Sequence, residues 1–377
     1  MARELLTVPI DVLRRRTSAK WRRYDPDVLP LWVAEMDVQP APAVADALAG
    51  LAAIGDYGYP FGRRYEEAVT RWYSDHGTLV EGLRSALVAD VMTGVAHSLR
   101  SATSADGAVV ITTPVYPPFH SVVREVGRRL VEAPLDPNGR LDLEALTAAF
   151  VEAGPGSALL LANPHNPTGV AHTADELREV LGLAHEHGLR VVSDEIHAPL
   201  VLTGASFTSI LGVEGGEGAV VVTSAAKGWN LAGLKAAVVL AGSQARDVLA
   251  GFPPSAPYGP SHVGVVAHTA ALDGGQDWMR ALLRDLDANR ALLGELLAEH
   301  LPAVRWRPME ATYLAWLDCS GLELGREAGR HFLDEARVAL MEGTPFGAGF
   351  GDHVRLNIAT SPEIITEAVE RMAASLG

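Results

Sequence analysis

The stretch ALLLANPHNPTGVAHTADELREVLGLAHEHGLRVVSDEIH, residues 158–197, decides the fold class. It opens and closes on apolar runs, and a helical pattern lies between them. Thr173 and Glu176 have the spacing of a capping box at the start of that helix, and Gly188 fits the position just beyond its end. Apolar strands separated by a helix are typical of an α/β fold.

The same alternation continues on both sides of this stretch. Seven apolar runs resemble strands: ALVADVM (86–92), AVVIT (108–112), RLVEAP (129–134), ALLLANP (158–164), LRVVSDE (189–195), AVVVTS (219–224) and AAVVLAG (236–242). Most are apolar throughout, as in strands that are buried on both faces. We therefore expect a parallel or mixed sheet flanked by helices.

The two ends of the chain lack this alternation. Residues 1–40 are rich in Arg, Pro and Trp, and from about residue 275 two long helical patterns follow, WMRALLRDLDANRALLGELLAEHL and GREAGRHFLDEARVALMEG. We expect an N-terminal segment over 1–40 that packs on a small domain, a large domain over 41–270 and a small C-terminal domain over 271–377.

Composition narrows the possible partners and the compartment. The net charge of −15 argues against nucleic acid and anionic membranes. Cys319 is the only cysteine, which excludes an intrachain disulfide. The start of the sequence lacks an apolar run of signal-peptide length, so we expect a cytoplasmic protein. His185 and His187 face different sides of the predicted helix, and we predict no metal site.

Lysine is rare in this chain. Of the 31 Lys and Arg residues, only Lys20, Lys227 and Lys235 are lysines. A desolvated lysine can lose its proton and form a Schiff base with a carbonyl, which arginine cannot; chance retention is the alternative. Ser224 shares a face of the strand-to-helix turn with Lys227. Lys235 would lower the pKa of Lys227 and, with Ser224, suits a phosphate.

Other candidate residues follow the strand ends, where open α/β sheets bind ligands. The glycine turn at Gly94, Val95 and Ala96 could offer N–H groups to a phosphate, although most such turns only reverse the chain. Tyr116, set between prolines, could stack on a flat ligand or pack at a rim.

Two further strand ends carry polar side chains. Asn166 lies in the rigid loop NPHNPTG. Asp194 ends a buried strand and needs a partner, either a ligand cation such as a pyridinium nitrogen or an arginine. His197 could bind the same ligand. Phosphate donors, a stacking ring, an amide, a carboxylate and a reactive lysine together describe a site for pyridoxal phosphate.

The motif order NPHNPTG, DEIH, SAAK, GLK, RLNIAT resembles the fold-type I pyridoxal-phosphate enzymes of the aminotransferase class I/II group. LPLWVAEMDVQPAP and DEIH resemble the MalY/PatB branch of cystathionine β-lyases, whereas general aminotransferases usually have Tyr in place of His197. The branch more often has Asp in place of Glu35, and Phe or Tyr in place of Trp229. The resemblance implies an aspartate-aminotransferase-like fold: a large domain with a mostly parallel seven-stranded sheet, and a smaller α+β domain.

The resemblance also implies roles for individual residues. Lys227 would hold the cofactor and move the Cα proton, and Asp194 would keep the pyridine nitrogen protonated. Tyr116 would stack on the ring, while Asn166 and His197 would hydrogen-bond its oxygen. The phosphate would be held by Gly94, Val95, Ala96, Ser224 and Lys235.

The resemblance also implies one residue that binds the substrate and one that acts in a second subunit. Arg355, in VRLNIAT, would clamp the substrate α-carboxylate, assisted by Asn166, unless it forms a strand-end salt bridge. Tyr57, in GDYGYP, would reach the neighbouring active site of a homodimer, or is a local turn aromatic.

The implied activity is cleavage of cystathionine or related S-substituted cysteines to a thiol, pyruvate and ammonia. An aminotransferase shares the first steps and most of the residues, and it is the alternative. A protein that acts mainly by regulatory binding is the third possibility.

Overall fold

The computed structural model describes residues 3–78 and 81–377. The first two residues of the predicted N-terminal segment lie outside this part. The described strands are β1 (Leu29–Pro30), β2 (Arg84–Val88), β3 (Ala108–Thr113), β4 (Arg129–Pro134), β5 (Ala158–Ala162), β6 (Arg190–Asp194), β7 (Val220–Thr223), β8 (Ala237–Ala241), β9 (Arg305–Trp306), β10 (Leu314–Asp318), β11 (Val338–Ala339), β12 (Met341–Glu342) and β13 (His353–Asn357).

Helices surround these strands. The described α-helices are α1 (Ile10–Leu13), α2 (Ala19–Arg22), α3 (Pro42–Ile54), α4 (Arg64–Asp75), α5 (Val91–Ala102), α6 (Pro118–Glu125), α7 (Leu143–Ala153), α8 (Ala174–Glu186), α9 (Arg246–Ala250), α10 (His262–Gly274), α11 (Gln276–His300), α12 (Ala328–Asp334) and α13 (Pro362–Ala374). In the parts 3–78 and 81–377, no helix is both long enough and apolar enough to cross a membrane.

The main sheet has seven strands in the order β2-β8-β7-β6-β5-β3-β4. Strand β8 runs antiparallel to both of its neighbours, and the other pairings from β7 to β4 are parallel. Each of the seven predicted strands has a counterpart in this sheet, so the predicted mostly parallel seven-stranded sheet is confirmed. The first strand was placed too late, because β2 spans Arg84–Val88 and the predicted strand residues 91 and 92 belong to α5.

The apolar runs are continuous because both faces of the sheet are covered. In β5, Leu159 and Leu161 face one core, whereas Leu160 faces the other. Helices α5 and α6 cover the face of Leu160, and α7 and α8 contribute to the opposite core. Helix α8 carries the predicted capping box: Thr173 and Glu176 satisfy each other's backbone N–H groups.

A smaller antiparallel sheet has the order β12-β13-β10-β9, and α11 and α13 pack against each other beside it. One expectation here is wrong. The predicted long helix over residues 325–343 is helical only in α12. Arg337 has a φ of +55°, which a helix cannot accommodate, and the residues after it pair with β1 and β13 as strands β11 and β12.

The N-terminal segment contacts the C-terminal part of the chain. Strand β1 pairs in parallel with β11. The backbone N–H groups of Glu4, Leu5 and Leu6 donate to the Asp285 carboxylate on α11. Helix α10 continues past residue 270 and packs on α3 and α4. The domain limits at residues 40 and 270 stay predictions.

Candidate active site

A cavity of about 540 Å³ lies at the carboxyl ends of β5, β6 and β7. This is the edge where an open α/β sheet binds its ligands. Eight of the predicted site residues line it: Tyr116, Asn166, Asp194, His197, Ser224, Lys227, Lys235 and Arg355. Tertiary packing therefore joins side chains that are up to about 240 positions apart in the sequence.

Lys227 lies in the turn that follows β7, and its Nζ donates a hydrogen bond to the carbonyl of Ala34 at 2.8 Å. Burial and the nearby Arg355 guanidinium lower the pKa of Lys227 to about 8, although Asp194 opposes the change. A lowered pKa leaves a useful fraction of the amine unprotonated near neutral pH. The lysine is thus prepared to act as a nucleophile or a base.

Asp194 is the last residue of β6 and is 6% exposed. Its Oδ1 accepts a hydrogen bond from the Ile196 N–H at 3.1 Å, and burial raises its pKa to about 7. Within residues 3–78 and 81–377 it forms no salt bridge with an arginine, which was the alternative to a ligand cation. A buried carboxylate without a cationic partner favours a positively charged ligand atom.

His197 follows Asp194 by three residues and lines the same cavity. Burial, with Lys227 and Arg355 nearby, lowers the pKa of His197 to about 3, so its ring is neutral. The ring Nδ1 is buried and has no hydrogen-bond partner in the described part of the chain. A neutral imidazole there can donate to or accept from a ligand oxygen.

Arg355 is buried on β13 and faces the cavity. It donates to Asn166 Oδ1 at 2.9 Å and to the Trp32 carbonyl at 3.2 Å. No carboxylate among the described residues pairs with it, so the strand-end salt bridge is not found, and its Nε is without a partner. Tyr116 is also linked to Asn166, because its backbone N–H donates to the Asn166 carbonyl at 3.0 Å.

The glycine turn that was predicted to bind a phosphate does not lie at the start of a helix. Helix α5 begins at Val91 after the N-cap Asp90, so Gly94, Val95 and Ala96 lie in its second turn and do not line the cavity. The N–H of Gly94 already donates to the Asp90 carbonyl at 2.9 Å. Gly94 instead allows α5 to pack closely against the sheet, because a Cβ there would lie 2.7 Å from Val222 Cγ1 on β7.

Residues at the true start of α5 were missed. Asp90, Val91 and Met92 line the cavity, and the first N–H groups of a helix have no partner within it. Lys235 reaches this helix end, with its Nζ 3.2 Å from Asp90 Oδ2. The side chain of Asp90 accepts a bond from Thr93 N–H, so an aspartate N-cap was the signal that could have located the helix start.

Sequence reasoning also missed the wall formed by the N-terminal segment. Trp32, Val33 and Ala34 line the cavity. Asn357 holds this wall, since its Nδ2 donates to the carbonyls of Val33 at 2.8 Å and Glu35 at 2.7 Å. Side-chain chemistry could not reveal Val33 or Ala34, because both are ordinary apolar residues.

Three other residues singled out in the sequence lie outside the cavity lining. Glu35 accepts a hydrogen bond from the Ser18 hydroxyl. Trp229 is buried, and its Nε1 donates to the Gly275 carbonyl at 3.3 Å. Tyr57 is 63% exposed, in the segment after α3. Its position within a single chain places it on the surface.

The cavity fits a phosphorylated, flat aldehyde. Buried polar atoms such as His197 Nδ1 and Arg355 Nε lack partners among the described residues, and such atoms are expected to meet ligand atoms. Lys227 supplies an amine that can bond to an aldehyde carbon, and Asp194 suits a protonated ring nitrogen. The start of α5 with Lys235 and Ser224 suits a phosphate. This donor set is the one that pyridoxal phosphate requires.

Comparison with known proteins identifies the family. The model of the family "Aminotransferase class I and II" matches residues 26–372. The chain belongs to the aminotransferase class I and II family. The family predicted from the motif order is thus confirmed, together with its aspartate-aminotransferase-like fold.

Relatives of this family member carry lyase names. A Mycobacterium tuberculosis protein named "Putative cystathionine beta-lyase" is 50% identical over 390 residues, covering 96% of this chain and 95% of the relative. "Cystathionine beta-lyase PatB" of Bacillus subtilis is 30% identical and covers 93% of each chain. It bears the name of the branch that the motifs predicted.

A solved structure supports the same placement. The "putative plp-dependent beta-cystathionase" of Corynebacterium diphtheriae is 32% identical to this chain and superposes with a TM-score of 0.92. The match covers 99% of both chains.

Proposed function

We propose that this chain is a pyridoxal-phosphate-dependent C–S β-lyase, which cleaves cystathionine or related S-substituted cysteines to a thiol, pyruvate and ammonia. The observation that carries the proposal is one cavity in which Lys227, with its lowered pKa, lies with the carboxylate Asp194 and the guanidinium Arg355. The lyase names of relatives that match almost the full length of this family member support the reaction type.

Pyridoxal phosphate, when bound, supplies an electron sink for the charge that develops at the substrate Cα. Lys227 would bond to it, and Asp194 would face its ring nitrogen. Asn166 and His197 would contact the ring oxygen, while Tyr116 would lie against the ring. The phosphate would be held by the first-turn N–H groups of Val91 and Met92, with Ser224 and Lys235.

The chain's own groups then divide the work on the substrate. Arg355 would bind the α-carboxylate in a bidentate manner, and Asn166 fixes the direction of the guanidinium. Lys227 Nζ would take the proton from Cα, because its lowered pKa leaves the amine free to accept it. Trp32, Val33 and Ala34 line the cavity and would exclude water from the part of the substrate that they contact.

The expected homodimer is part of this proposal. Tyr57, Tyr59 and Phe61 form an aromatic loop with exposures of 63%, 81% and 99%. Ile54 and Tyr258 are exposed to 78% and 71%. Large exposed apolar side chains mark interaction surfaces, and a second copy that covers this loop would bring Tyr57 to the neighbouring cavity. A cytoplasmic location stays a prediction.

Mixed dimers would test the arrangement of Tyr57. Lys227→Ala and Tyr57→Phe subunits are each expected to be weakly active alone. If Tyr57 acts across the interface, one site of each hybrid is intact, and exchange should restore about a quarter of the wild-type activity. Absence of any recovery, with hybrids demonstrated by mass spectrometry, would show that Tyr57 does not act in this way.

A product assay tests the reaction type. The cofactor-loaded enzyme is mixed with cystathionine, with and without a 2-oxo acid, and pyruvate and ammonia are followed. We expect both products without the acceptor, and neither from Lys227→Ala. Amino-group transfer that needs the 2-oxo acid, with no pyruvate in its absence, would overturn the lyase proposal in favour of the aminotransferase.

A further inference from the structure

Arg23 is an exposed cation with free donors beside the cavity wall. Its guanidinium carbon lies 5.0 Å from the centroid of the Trp32 ring and 5.9 Å from that of Tyr24. The two rings meet edge to face at 6.0 Å. Within residues 3–78 and 81–377, the guanidinium of Arg23 makes no hydrogen bond or salt bridge.

Trp32 connects this cation to the substrate clamp. It lines the cavity, and its carbonyl accepts the 3.2 Å hydrogen bond from Arg355. The residues on either side of it are fixed, because Leu31 N–H donates to Ala339 O and Val33 O accepts from Asn357. One tryptophan therefore lies against Arg355 through its backbone and against Arg23 through its ring.

Stacking prepares Arg23 to bind an anion. A guanidinium that lies over an aromatic ring has a fixed plane, and its N–H groups point outward in that plane, where they match a carboxylate. The nearest acidic neighbours in the sequence do not neutralise it, because Asp25 and Asp27 are both paired with Arg337.

The unpaired guanidinium of Arg23 contrasts with the negative charge of the chain as a whole. With a net charge of −15, the surface as a whole disfavours the approach of a carboxylate group. A free guanidinium beside the cavity wall opposes this repulsion locally. Arg23 does not line the cavity itself but contacts Trp32, which does.

We propose that Arg23 determines substrate specificity by binding the distal carboxylate of the substrate. The preferred substrates are then S-substituted cysteines whose thiol portion carries its own carboxylate, rather than S-alkylcysteines with a neutral chain. This inference rests on the proposed lyase function and extends it to a substrate class.

Kinetics with two substrates test the inference. Cystathionine carries the distal carboxylate together with a distal ammonium group, and S-methylcysteine has neither charge on its thiol portion. For Arg23→Gln we expect kcat/KM with cystathionine to fall by roughly 3- to 10-fold, the range for one partly exposed ion pair. The fall should be in KM, because the contact is the same before and during reaction. S-methylcysteine should be unaffected.

Arg22→Gln is the matched control. Arg22 is the adjacent exposed arginine, and the variant removes the same charge without touching the Trp32 ring. It should leave both substrates unchanged, and Arg23→Lys should retain part of the preference. Equal losses on both substrates in Arg23→Gln would assign Arg23 a structural role, and no loss on either would show that it binds no substrate group.

A binding measurement separates this inference from the lyase proposal. 2-Aminopimelate, which has a distal carboxylate, and norleucine, which has none, lack a leaving group on Cβ. Their dissociation constants are measured from the absorbance of the cofactor-loaded enzyme. We expect the wild type to prefer 2-aminopimelate and Arg23→Gln to lose that preference, even if cystathionine is not cleaved. Equal preferences in both enzymes would overturn the inference.

Discussion

Lys227 has a local environment that changes its acid–base behaviour. Burial and Arg355 lower its pKa from 10.5 to about 8. In the cofactor-free protein, we expect the rate of reductive methylation at Lys227 to reach half its maximum near pH 8. Peptide mass mapping measures the extent of methylation at each of the three lysines separately. Exposed Lys235 shows, in the same sample, how the reagent reacts with an accessible lysine at each pH. A midpoint near pH 10.5 would contradict the lowered pKa.

Asp194 contributes charge rather than shape. The Asp194→Asn variant retains the side-chain volume and the hydrogen bond from Ile196 but cannot neutralise a protonated ring nitrogen. We expect kcat/KM to fall on the order of 100- to 1000-fold, as when one electrostatic stabiliser is removed. Cofactor content, measured by absorbance, should stay complete. Full activity of the loaded variant would exclude this role for Asp194.

At the scale of elements, the approach of α5 to the sheet depends on Gly94. A Cβ there would lie 2.7 Å from Val222 Cγ1 and 3.1 Å from Val239 Cγ2. We expect Gly94→Ala to lower the free energy of unfolding by about 1–3 kcal/mol, the range for overpacking. Displacement of the first turn of α5 should also weaken cofactor affinity. Urea unfolding and cofactor titration measure the two effects.

Gly182 on α8 provides the matched control. It is exposed, and a Cβ there would meet nothing within 4 Å. Gly182→Ala should leave cofactor affinity unchanged and stabilise the helix by up to ~1 kcal/mol. If the two variants behaved alike, the close approach of α5 would not be what requires glycine.

At the scale of the molecule, the buried pair Lys20–Asp37 holds α2 against the stretch that follows the cavity wall, within the N-terminal segment. Lys20 Nζ lies 2.7 Å from Asp37 Oδ2, and both residues are 1% exposed. The same Nζ donates to the Glu35 carbonyl at 3.1 Å. The third lysine of the chain is therefore structural.

Removing one partner should cost more than removing both. Lys20→Met leaves the Asp37 charge buried with only Arg16, at 3.8 Å, as a cation, so we expect the free energy of unfolding to fall by about 3 kcal/mol, the lower end of the range for a broken buried pair. The double variant Lys20→Met with Asp37→Leu should recover much of this loss. Chemical denaturation measures all three proteins, and a double variant as unstable as the single one would contradict this account.

Local patterns were enough for part of this structure. The strands β2 to β8 were predictable because continuous apolar runs need two covered faces. Lys227 and Asp194 were recognisable because their chemistry is unusual at strand ends, whereas Arg355 followed only from the resemblance of the motif order. The start of α5 was predicted too late, because Gly94 resembles a turn residue, whereas in the structure it lies inside the helix and in close contact with Val222 on a distant strand.

The sequence by itself determined the α/β alternation, the family and the residue types that a pyridoxal-phosphate site requires, because these depend on periodicity and on the chemistry of single side chains. Only the tertiary structure decided where α5 begins, which apolar residues line the cavity and which arginine near it has no hydrogen bond or salt bridge. Those features depend on contacts between segments far apart in the chain, such as Arg355 with Trp32 and Lys227 with Ala34. No local pattern records such a contact.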